Sequence, residues 1–360
     1  MNDIDQMLND SAERYFLDLC TRETLDCVEE GHWLSEAWAS MGDIGLVSAA
    51  VMETEPGEQG LPLSSLSMLA RQAGRFNVPL PLVETYLAQR ALMRHGIPFD
   101  ENVPLGVSIL ATDPAIKLDR SAAGGYIVNG SVARVAWGRH CEGVVVSAST
   151  QDGPVLVLLP KGKVNRQQSN LAGEPRDTLE YEKVHIAEEC VRPAIQEQGR
   201  LLFEGALFRC MQMTGALQRA LEMTIGYAKE REQFGRPIAK FQVIQHQIAE
   251  MAAQVASATA AADAASHASA SNVAFAEVAM AKIRCSEAAS LACAIAHQVH
   301  GAMGFTHEHS LHLTTRRLLS WREEFGSESY WAAWLGAQLE ALSENELWSF
   351  VTAPSAHTFS

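Results

Sequence analysis

Residues 227–242, "YAKEREQFGRPIAKFQ", are the stretch from which the fold can be worked out, and we call them the first motif. The Gly-Arg-Pro sequence at 235–237 predicts a turn between two helices, because glycine and proline interrupt regular structure. Arg231, Phe234 and Gln242 flank this turn, so a cation, an aromatic ring and an amide meet at one corner. Such a corner can bind a phosphate and a flat ring. The alternative is an ordinary helix connection with an exposed arginine.

The segment after this turn has the periodicity of a long amphipathic helix. Its apolar residues recur at intervals of three and four and so share one face: Phe241, Ile244, Ile248, Met251 and Val255. The Ala- and Ser-rich stretch at 256–274 favours close packing between long helices over low complexity, and a second long helix is predicted to end at Gly301. We therefore predict a C-terminal four-helix bundle over residues 197–345, followed by a tail over 346–360.

The sequence between residues 101 and 196 has a different character. Short segments rich in β-branched residues are bounded by Gly, Asp or Pro, as in "GYIVNGSVARV" (125–135) and "PVLVLLP" (154–160). The Asn129-Gly130 pair predicts a hairpin turn. We expect a middle β-domain that is a barrel or sandwich, preceded by an N-terminal helical domain over residues 1–100. The predicted fold class is therefore α+β.

The composition limits the classes of function. A net charge of −15 over 360 residues argues against nucleic-acid binding, which requires a basic surplus. No stretch approaches the roughly 20 apolar residues that a membrane-spanning helix needs. The seven cysteines include no C-x-x-C pair and are expected to be reduced, and the N-terminal sequence has no features of a targeting peptide. These features predict a cytoplasmic protein.

A second motif, "QVHGAMGF", occupies residues 298–305. Gln298 is predicted to lie at the end of the long helix, and Gly301 and Gly304 allow a backbone to approach a ligand closely. Histidines at 300, 307, 309 and 312 raise the alternative of a metal site. Because no H-x-x-x-H face or further ligand cluster accompanies them, a structural or surface role is favoured and no metal is predicted.

Together, the two motifs resemble the acyl-CoA dehydrogenase family, and the resemblance extends over nearly the whole chain. It implies the family's fold, in which a helical N-terminal domain, a middle β-domain and a C-terminal four-helix bundle follow one another. It also implies that the cofactor is FAD.

The resemblance assigns roles to individual residues. In the first motif, Arg231, Phe234 and Gln242 are implied to reach the FAD of a neighbouring subunit. The residues implied to approach the adenine–ribose–pyrophosphate end belong to the second motif: Gln298, Gly301 and Ala302. Arg231 would supply the fixed cation that a pyrophosphate requires.

A reaction and its partners also follow from the resemblance. Members of the family remove a proton from the α-carbon of an acyl-CoA thioester and transfer a hydride from the β-carbon to the flavin, with a carboxylate as the base. The reduced flavin then passes its electrons to an electron-transfer flavoprotein. A flavin monooxygenase or acyl-CoA oxidase on the same fold is a further alternative.

Two segments of the middle domain depart from the family pattern. The flavin-covering loop T-E-P-x-x-G-S-D is reduced to Thr112, Asp113 and Pro114, without the glycine-serine-aspartate continuation. Trp137 lies near the place where a tryptophan commonly packs on the flavin ring, although its flanking residues do not match. The alternative for Trp137 is a buried side chain at a strand end.

The catalytic carboxylate is displaced as well. An ungapped count from the second motif places Phe325 where the family has its base, so Glu324 is the candidate catalytic residue and Glu323 is less favoured. Counting back from the first motif puts Ala206 where many members carry an arginine, and Glu204 is one residue from an alternative base position. One residue along a helix rotates a side chain by about 100°, so a chain without a base is the third alternative.

These departures resemble the subunits of bacterial heteromeric acyl-CoA dehydrogenases, in which two related chains share each site and act on bulky steroid or dicarboxylyl substrates. The predicted function is an FAD-dependent acyl-CoA dehydrogenase or one subunit of it. The alternative is a catalytically silent partner that supplies FAD contacts and interface. We expect a dimer or tetramer built on the C-terminal bundle, and prefer a hetero-oligomer to a homo-oligomer.

Overall fold

A computed structural model describes residues 3–52, 60–109, 116–269, 274–340, 342–352 and 354. The chain divides into two compact units. The helical unit comprises Met1–Arg22, Leu63–Val78 and Ala206–Ser360, and the sheet unit comprises Glu23–Pro62 and Pro79–Gly205. The domain boundaries at residues 100, 196 and 345 stay predictions.

The helices of the described residues account for most of the helical unit and for the start of the sheet unit. They are α1 (Asp3–Leu19), α2 (Arg22–Glu29), α3 (Ser35–Asp43), α4 (Leu63–Arg75), α5 (Leu82–His95), α6 (Glu197–Glu230), α7 (Gln242–Ala268), α8 (Phe275–His300), α9 (Leu311–Trp321), α10 (Glu328–Glu340) and α11 (Glu344–Thr352). Short 3₁₀ helices cover Ala49–Val51, Glu188–Cys190, Ile238–Lys240 and Gly301–Phe305. Helix α5 ends as glycine chemistry predicts, because Gly96 adopts a left-handed conformation with φ of 59°.

One mixed sheet forms the body of the sheet unit. Its strands are β1 (Leu105–Ser108), β2 (Lys117–Arg120), β3 (Tyr126–Ala136), β4 (Gly143–Thr150), β5 (Gly153–Pro160), β6 (Lys163–Arg166), β7 (Arg176–Ile186) and β8 (Val191–Pro193). The order is β6-β7-β3-β2-β4-β5-β8, with β1 also paired to β4. β4 pairs in parallel with β1 and β2, and the other pairs are antiparallel.

The predicted order of helices, β-domain and helices is confirmed, but the sheet of the described residues does not close into a barrel. Over the described residues the sheet stays open, with β6 and β8 at its edges. β6 exposes Lys163 and Arg166, and charged side chains on a short edge strand oppose further pairing. The sheet nevertheless buries one apolar cluster, to which β3, β4, β5 and β7 contribute Val128, Val132, Val144, Val146, Val155, Val157, Leu159 and Leu179.

The predicted hairpin at Asn129-Gly130 is wrong. β3 continues through both residues, and its register against β7 shifts between Val128 and Gly130. The Asn129 side-chain oxygen accepts a hydrogen bond from the backbone N–H of Lys183 at 2.9 Å. The pair therefore forms an irregularity within the ladder, and the chain turns between β2 and β3 at residues 121–125 instead.

In the helical unit, α7 and α8 pack through small side chains. Alanines on both helices are fully buried: Ala258, Ala262, Ala265, Ala281, Ala288 and Ala292. This confirms close packing for the part of the Ala-rich segment that belongs to α7, whereas residues 270–273 lie outside the described residues. The apolar stripe of α7 is buried at Met251 and Val255 but only partly buried at Ile244 and Ile248. The N-terminal end of α7 thus leaves apolar surface uncovered.

None of the described helices is both long enough and apolar enough to cross a membrane.

Candidate active site

The turn of the first motif is a tight hairpin at the end of α6. Two short strands, β9 (Glu232–Gln233) and β10 (Arg236–Pro237), pair in antiparallel fashion. Phe234 and Gly235 between them both have positive φ, 54° and 74°, as a two-residue type I′ turn requires. Glycine adopts this conformation freely, whereas a phenylalanine does so at a cost. The turn therefore holds the backbone of Phe234 in a left-handed conformation that residues other than glycine rarely adopt.

This turn presents its predicted site residues to solvent. The Phe234 side chain is 92% exposed, and its ring meets Phe241 edge-to-face with 6.1 Å between centroids. The Arg236 guanidinium lies 4.4 Å from the centroid of the Phe241 ring. Arg231 and Gln242 are exposed, and within the described residues neither side chain has a hydrogen-bond partner. A cation and an amide are thus left available beside an exposed ring.

The second motif lies at the same corner of the helical unit. Tyr227, one turn before Arg231, stacks on His300 with 4.4 Å between centroids and an interplanar angle of 24°. His300 is the last residue of α8, and Gly301 follows it with φ of 58°. Nothing lies within 4 Å of the position that a Cβ on Gly301 would take. We call this region, formed by both motifs, the flavin corner.

The flavin corner has a donor set that fits FAD. Gln298, Gly301 and Ala302 are exposed there, and the open space above Gly301 admits a ligand to the backbone. The Arg231 guanidinium provides the fixed charge that a pyrophosphate needs, and the Phe234 ring provides an apolar surface. Six predicted contacts therefore belong to one unit of the structure, and their roles stay predictions.

The histidines of this region pack against aromatic neighbours. His300 contacts the His309 ring at 4.7 Å, and the His307 and His312 rings lie 5.1 Å apart. Burial lowers the pKa of His300 to about 4, which its bond to the Ala296 carbonyl only partly offsets, so its ring is neutral at pH 7. Within the described ranges, no group of three or more His, Cys, Asp and Glu residues is arranged to hold a metal ion.

Glu324 is bound to a buried arginine. One carboxylate oxygen of Glu324 accepts hydrogen bonds from Nε and Nη2 of Arg209, at 2.9 and 2.8 Å. The Arg209 side chain is only 2% exposed, and it also donates to Gln212. The rings of Trp321 and Phe325 lie on the guanidinium at 5.8 and 5.5 Å. Glu324 is therefore the counter-ion of a charge that is almost fully withdrawn from water.

The turn that carries Glu324 is held by a buried lysine of α8. Lys282 Nζ donates to the carbonyls of Trp321, Arg322 and Gly326 at 3.3, 2.8 and 2.9 Å. Phe325 has φ of 53°, so the chain leaves the helical path directly after Glu324. A cation at the end of α9 satisfies carbonyls that lack helical partners.

A glycine is required at the end of this turn. Gly326 has φ of 92°, and a Cβ there would lie 2.6 Å from Nε1 of Trp331. That same Nε1 donates to the Phe325 carbonyl at 3.0 Å. The turn is thus fixed from α8 by Lys282 and from α10 by Trp331.

Glu204, the other candidate carboxylate, is fully buried among arginines of the sheet unit. Arg94 binds both of its oxygens at 3.0 and 3.1 Å, Arg200 binds one at 3.3 Å, and Arg90 lies 3.6 Å away. Burial raises the pKa of the Glu204 carboxyl, but the three guanidinium groups outweigh it and hold that pKa below its ordinary value. This environment suits a structural anion and opposes proton uptake.

The remaining candidates are placed as follows. The Glu323 side chain is 60% exposed and pairs with Arg322 at 3.1 Å. Trp137 is buried beside Ala136 and Cys141, against the ring of Trp33. The reduced loop at Thr112, Asp113 and Pro114 lies outside the described residues.

Arg209 is the residue that the sequence analysis missed. It lies three residues after Ala206, where the family pattern placed an arginine, and hence nearly one helical turn further along α6. Allowing a shift of one turn would have identified it. No periodicity in the sequence links it to Glu324.

Comparison with known proteins agrees with this fold. Residues 198–337 match the family described as acyl-CoA dehydrogenase, C-terminal domain. The chain is 30% identical over 270 residues to acyl-CoA dehydrogenase IpdE2 of Mycobacterium tuberculosis (strain ATCC 25618 / H37Rv), and the alignment covers 75% of this chain and 76% of that protein.

Two solved structures have similar folds. A chain of the ChsE4–ChsE5 complex from Mycobacterium tuberculosis superposes with a TM-score of 0.86 at 20% identity, covering 95% of this chain and 99% of that chain. Butyryl-CoA dehydrogenase from Megasphaera elsdenii gives a TM-score of 0.85 at 18% identity, covering 94% and 99%. With the similarity to IpdE2 and the matched C-terminal domain, these folds lead to one conclusion: the chain belongs to the acyl-CoA dehydrogenase family.

Proposed function

We propose that this chain is one subunit of a heteromeric FAD-dependent acyl-CoA dehydrogenase and that its flavin corner completes the FAD site of a partner chain. The substrate is an acyl-CoA thioester, and the electrons leave to an electron-transfer flavoprotein. On this proposal the catalytic base belongs to the partner chain.

The observation that carries the proposal is the exposure of the flavin corner. Arg231 and Gln242 find no partner among the described residues, and Phe234 is held outward by a strained turn. Apolar side chains nearby are also exposed, including Phe305 at 72% and Val243 at 63%. A corner with an unpaired cation and uncovered apolar surface fits a ligand and a neighbouring chain together.

Proton uptake would be costly at both candidate carboxylates of this chain, Glu324 and Glu204. When bound, FAD supplies the ring that accepts the hydride, and a carboxylate must take the α-proton. If Glu324 took this proton, the guanidinium of Arg209, which is only 2% exposed, would lose its counter-ion, and an uncompensated buried charge is costly. Protonation of Glu204 would likewise remove the negative charge that three guanidinium groups surround. Both carboxylates therefore serve as counter-ions.

A second candidate keeps the base in this chain. The left-handed Phe325 provides the local irregularity that could return Glu324 to the position of the family's base. On this alternative the chain is a complete dehydrogenase subunit with Glu324 as its base.

Flavin binding is tested by changing Arg231 to Ala in the purified assembly. The pyrophosphate would lose a charge-assisted hydrogen bond worth about 1.5–3 kcal/mol, so FAD affinity should fall by about tenfold or more. Arg219→Ala is the matched control, because Arg219 is an exposed arginine on α6 away from the flavin corner. Flavin content is read from absorbance after gel filtration. Full FAD occupancy in Arg231→Ala would contradict the proposal.

A further inference from the structure

The arginine cluster of the sheet unit carries more positive than negative charge. Three guanidinium groups, those of Arg90, Arg94 and Arg200, surround the carboxylate of Glu204. A second carboxylate, that of Glu197, pairs with Arg94. Two anions thus face three cations in a region largely withdrawn from water, where an uncompensated charge is costly.

Several donors of this cluster are not used. Arg200 contributes only Nε to Glu204, and its terminal nitrogens have no hydrogen-bond partner within the described residues. The Nε atoms of Arg90 and Arg94 are buried and also lack partners there. Because a guanidinium carries five N–H donors in a fixed plane, the terminal nitrogens of Arg200 can donate to a further anion without breaking the existing pairs.

One side of the cluster is open. The Arg200 side chain is 33% exposed, so an ion from solvent can reach its terminal nitrogens. Arg200 also lies in the first turn of α6, a helix of 34 residues, where the helix dipole favours negative charge. Nothing lies within 4 Å of the position that a Cβ on neighbouring Gly199 would take.

We infer that this cluster binds a compact oxyanion, a phosphate or a carboxylate group, with Arg200 as its exposed contact. The surplus guanidinium charge and the unused donors define the chemistry, since a planar fork matches the oxygens of either group. The cluster shares no residue with the flavin corner, so its occupancy does not depend on the function proposed above.

The inference is tested by titrating the full chain, in the assembly in which it purifies, by calorimetry in chloride-free buffer. Inorganic phosphate, succinate and the uncharged succinamide are titrated separately at equal ionic strength. Saturable binding of phosphate alone identifies a phosphate site, and stronger binding of succinate than of succinamide identifies a carboxylate site. Arg200→Gln should weaken the binding by about tenfold or more. This variant changes a partly exposed side chain and leaves Arg90 and Arg94 on Glu204.

Two further variants serve as controls. Arg166→Gln removes an exposed arginine of β6 and should bind like the unaltered chain. Arg231→Ala tests whether the anion lies at the flavin corner, and it should also bind like the unaltered chain. Absence of saturable binding by both phosphate and succinate, or equal affinity in Arg200→Gln, would overturn the inference. Binding that disappears in Arg231→Ala but persists in Arg200→Gln would overturn it as well.

Discussion

Lys282 makes the stability of the helical unit depend on pH. Its ammonium group is fully buried, and burial lowers the pKa of that group to about 8 from 10.5. Below pH 8 the lysine is protonated in both the folded and the unfolded chain, so the cost of burying its charge is present in full. Between pH 8 and 10.5 the unfolded chain binds a proton that the folded chain does not. The free energy of unfolding therefore rises with pH in this window.

The expected magnitude follows from the two pKa values. Each pKa unit corresponds to about 1.4 kcal/mol, so the whole window corresponds to about 3 kcal/mol, of which about 2 kcal/mol falls between about pH 7 and pH 9.5. Changing Lys282 to Met removes the titration. It also leaves the carbonyls of Trp321, Arg322 and Gly326 without their donor, but that loss does not change with pH.

The assay is urea unfolding followed by tryptophan fluorescence and circular dichroism at several pH values and one protein concentration. The unfolding free energy of the unaltered chain minus that of Lys282→Met should rise by about 2 kcal/mol between about pH 7 and pH 9.5. Lys229→Met, which changes an exposed lysine at the end of α6, should follow the unaltered chain. Equal pH dependence in Lys282→Met and the unaltered chain would refute a buried, titrating ammonium.

Three further predictions concern stability and assembly. Glu204→Gln should lower the free energy of unfolding by about 3–5 kcal/mol, because it leaves buried guanidinium groups uncompensated. The control is Glu188→Gln, which changes an exposed pair with Arg120 and should alter the free energy of unfolding by less than about 1 kcal/mol. Equal effects of the two changes on urea unfolding would refute the buried network. Gly326→Ala should lower the melting temperature, since its Cβ would lie 2.6 Å from Nε1 of Trp331, and an unchanged melting temperature would show that the turn relaxes freely. Sedimentation at micromolar concentration should show a dimer or tetramer, and a monomer that binds FAD tightly would contradict a flavin site shared between chains.

Much of the fold and one corner of the site could be predicted because their signals are local. The 3.6-residue periodicity and the small residues of α7 and α8 specify long, closely packed helices. The turn of the first motif is encoded by adjacent glycine and proline. Asn129-Gly130 shows the limit of such signals, because the pairing of β3 with β7 overrode the turn preference of two residues.

The carboxylate environments could not be predicted from local patterns. Arg209 and Glu324 are 115 positions apart in the sequence, and their contact arises only when α6 packs beside the end of α9. The left-handed conformation of Phe325 is equally hidden, since a phenylalanine gives no sign of positive φ. Sequence position alone left Glu324 and Glu204 as candidate bases, and the arginines around them changed that interpretation.

Glu324→Gln, assayed in the flavin-loaded assembly with acyl-CoA and an artificial electron acceptor, tests the central claim most directly. The amide oxygen of glutamine can still accept a hydrogen bond from Arg209, and retained FAD together with an unchanged circular dichroism spectrum confirms folding. Glu323→Gln is the matched control, because Glu323 is exposed and pairs only with Arg322 in the ion pairs of this turn. If the base belongs to the partner chain, both variants should turn over within a few-fold of the unaltered assembly. A loss of about a hundredfold or more in Glu324→Gln alone, with FAD retained, would show that this chain holds the base.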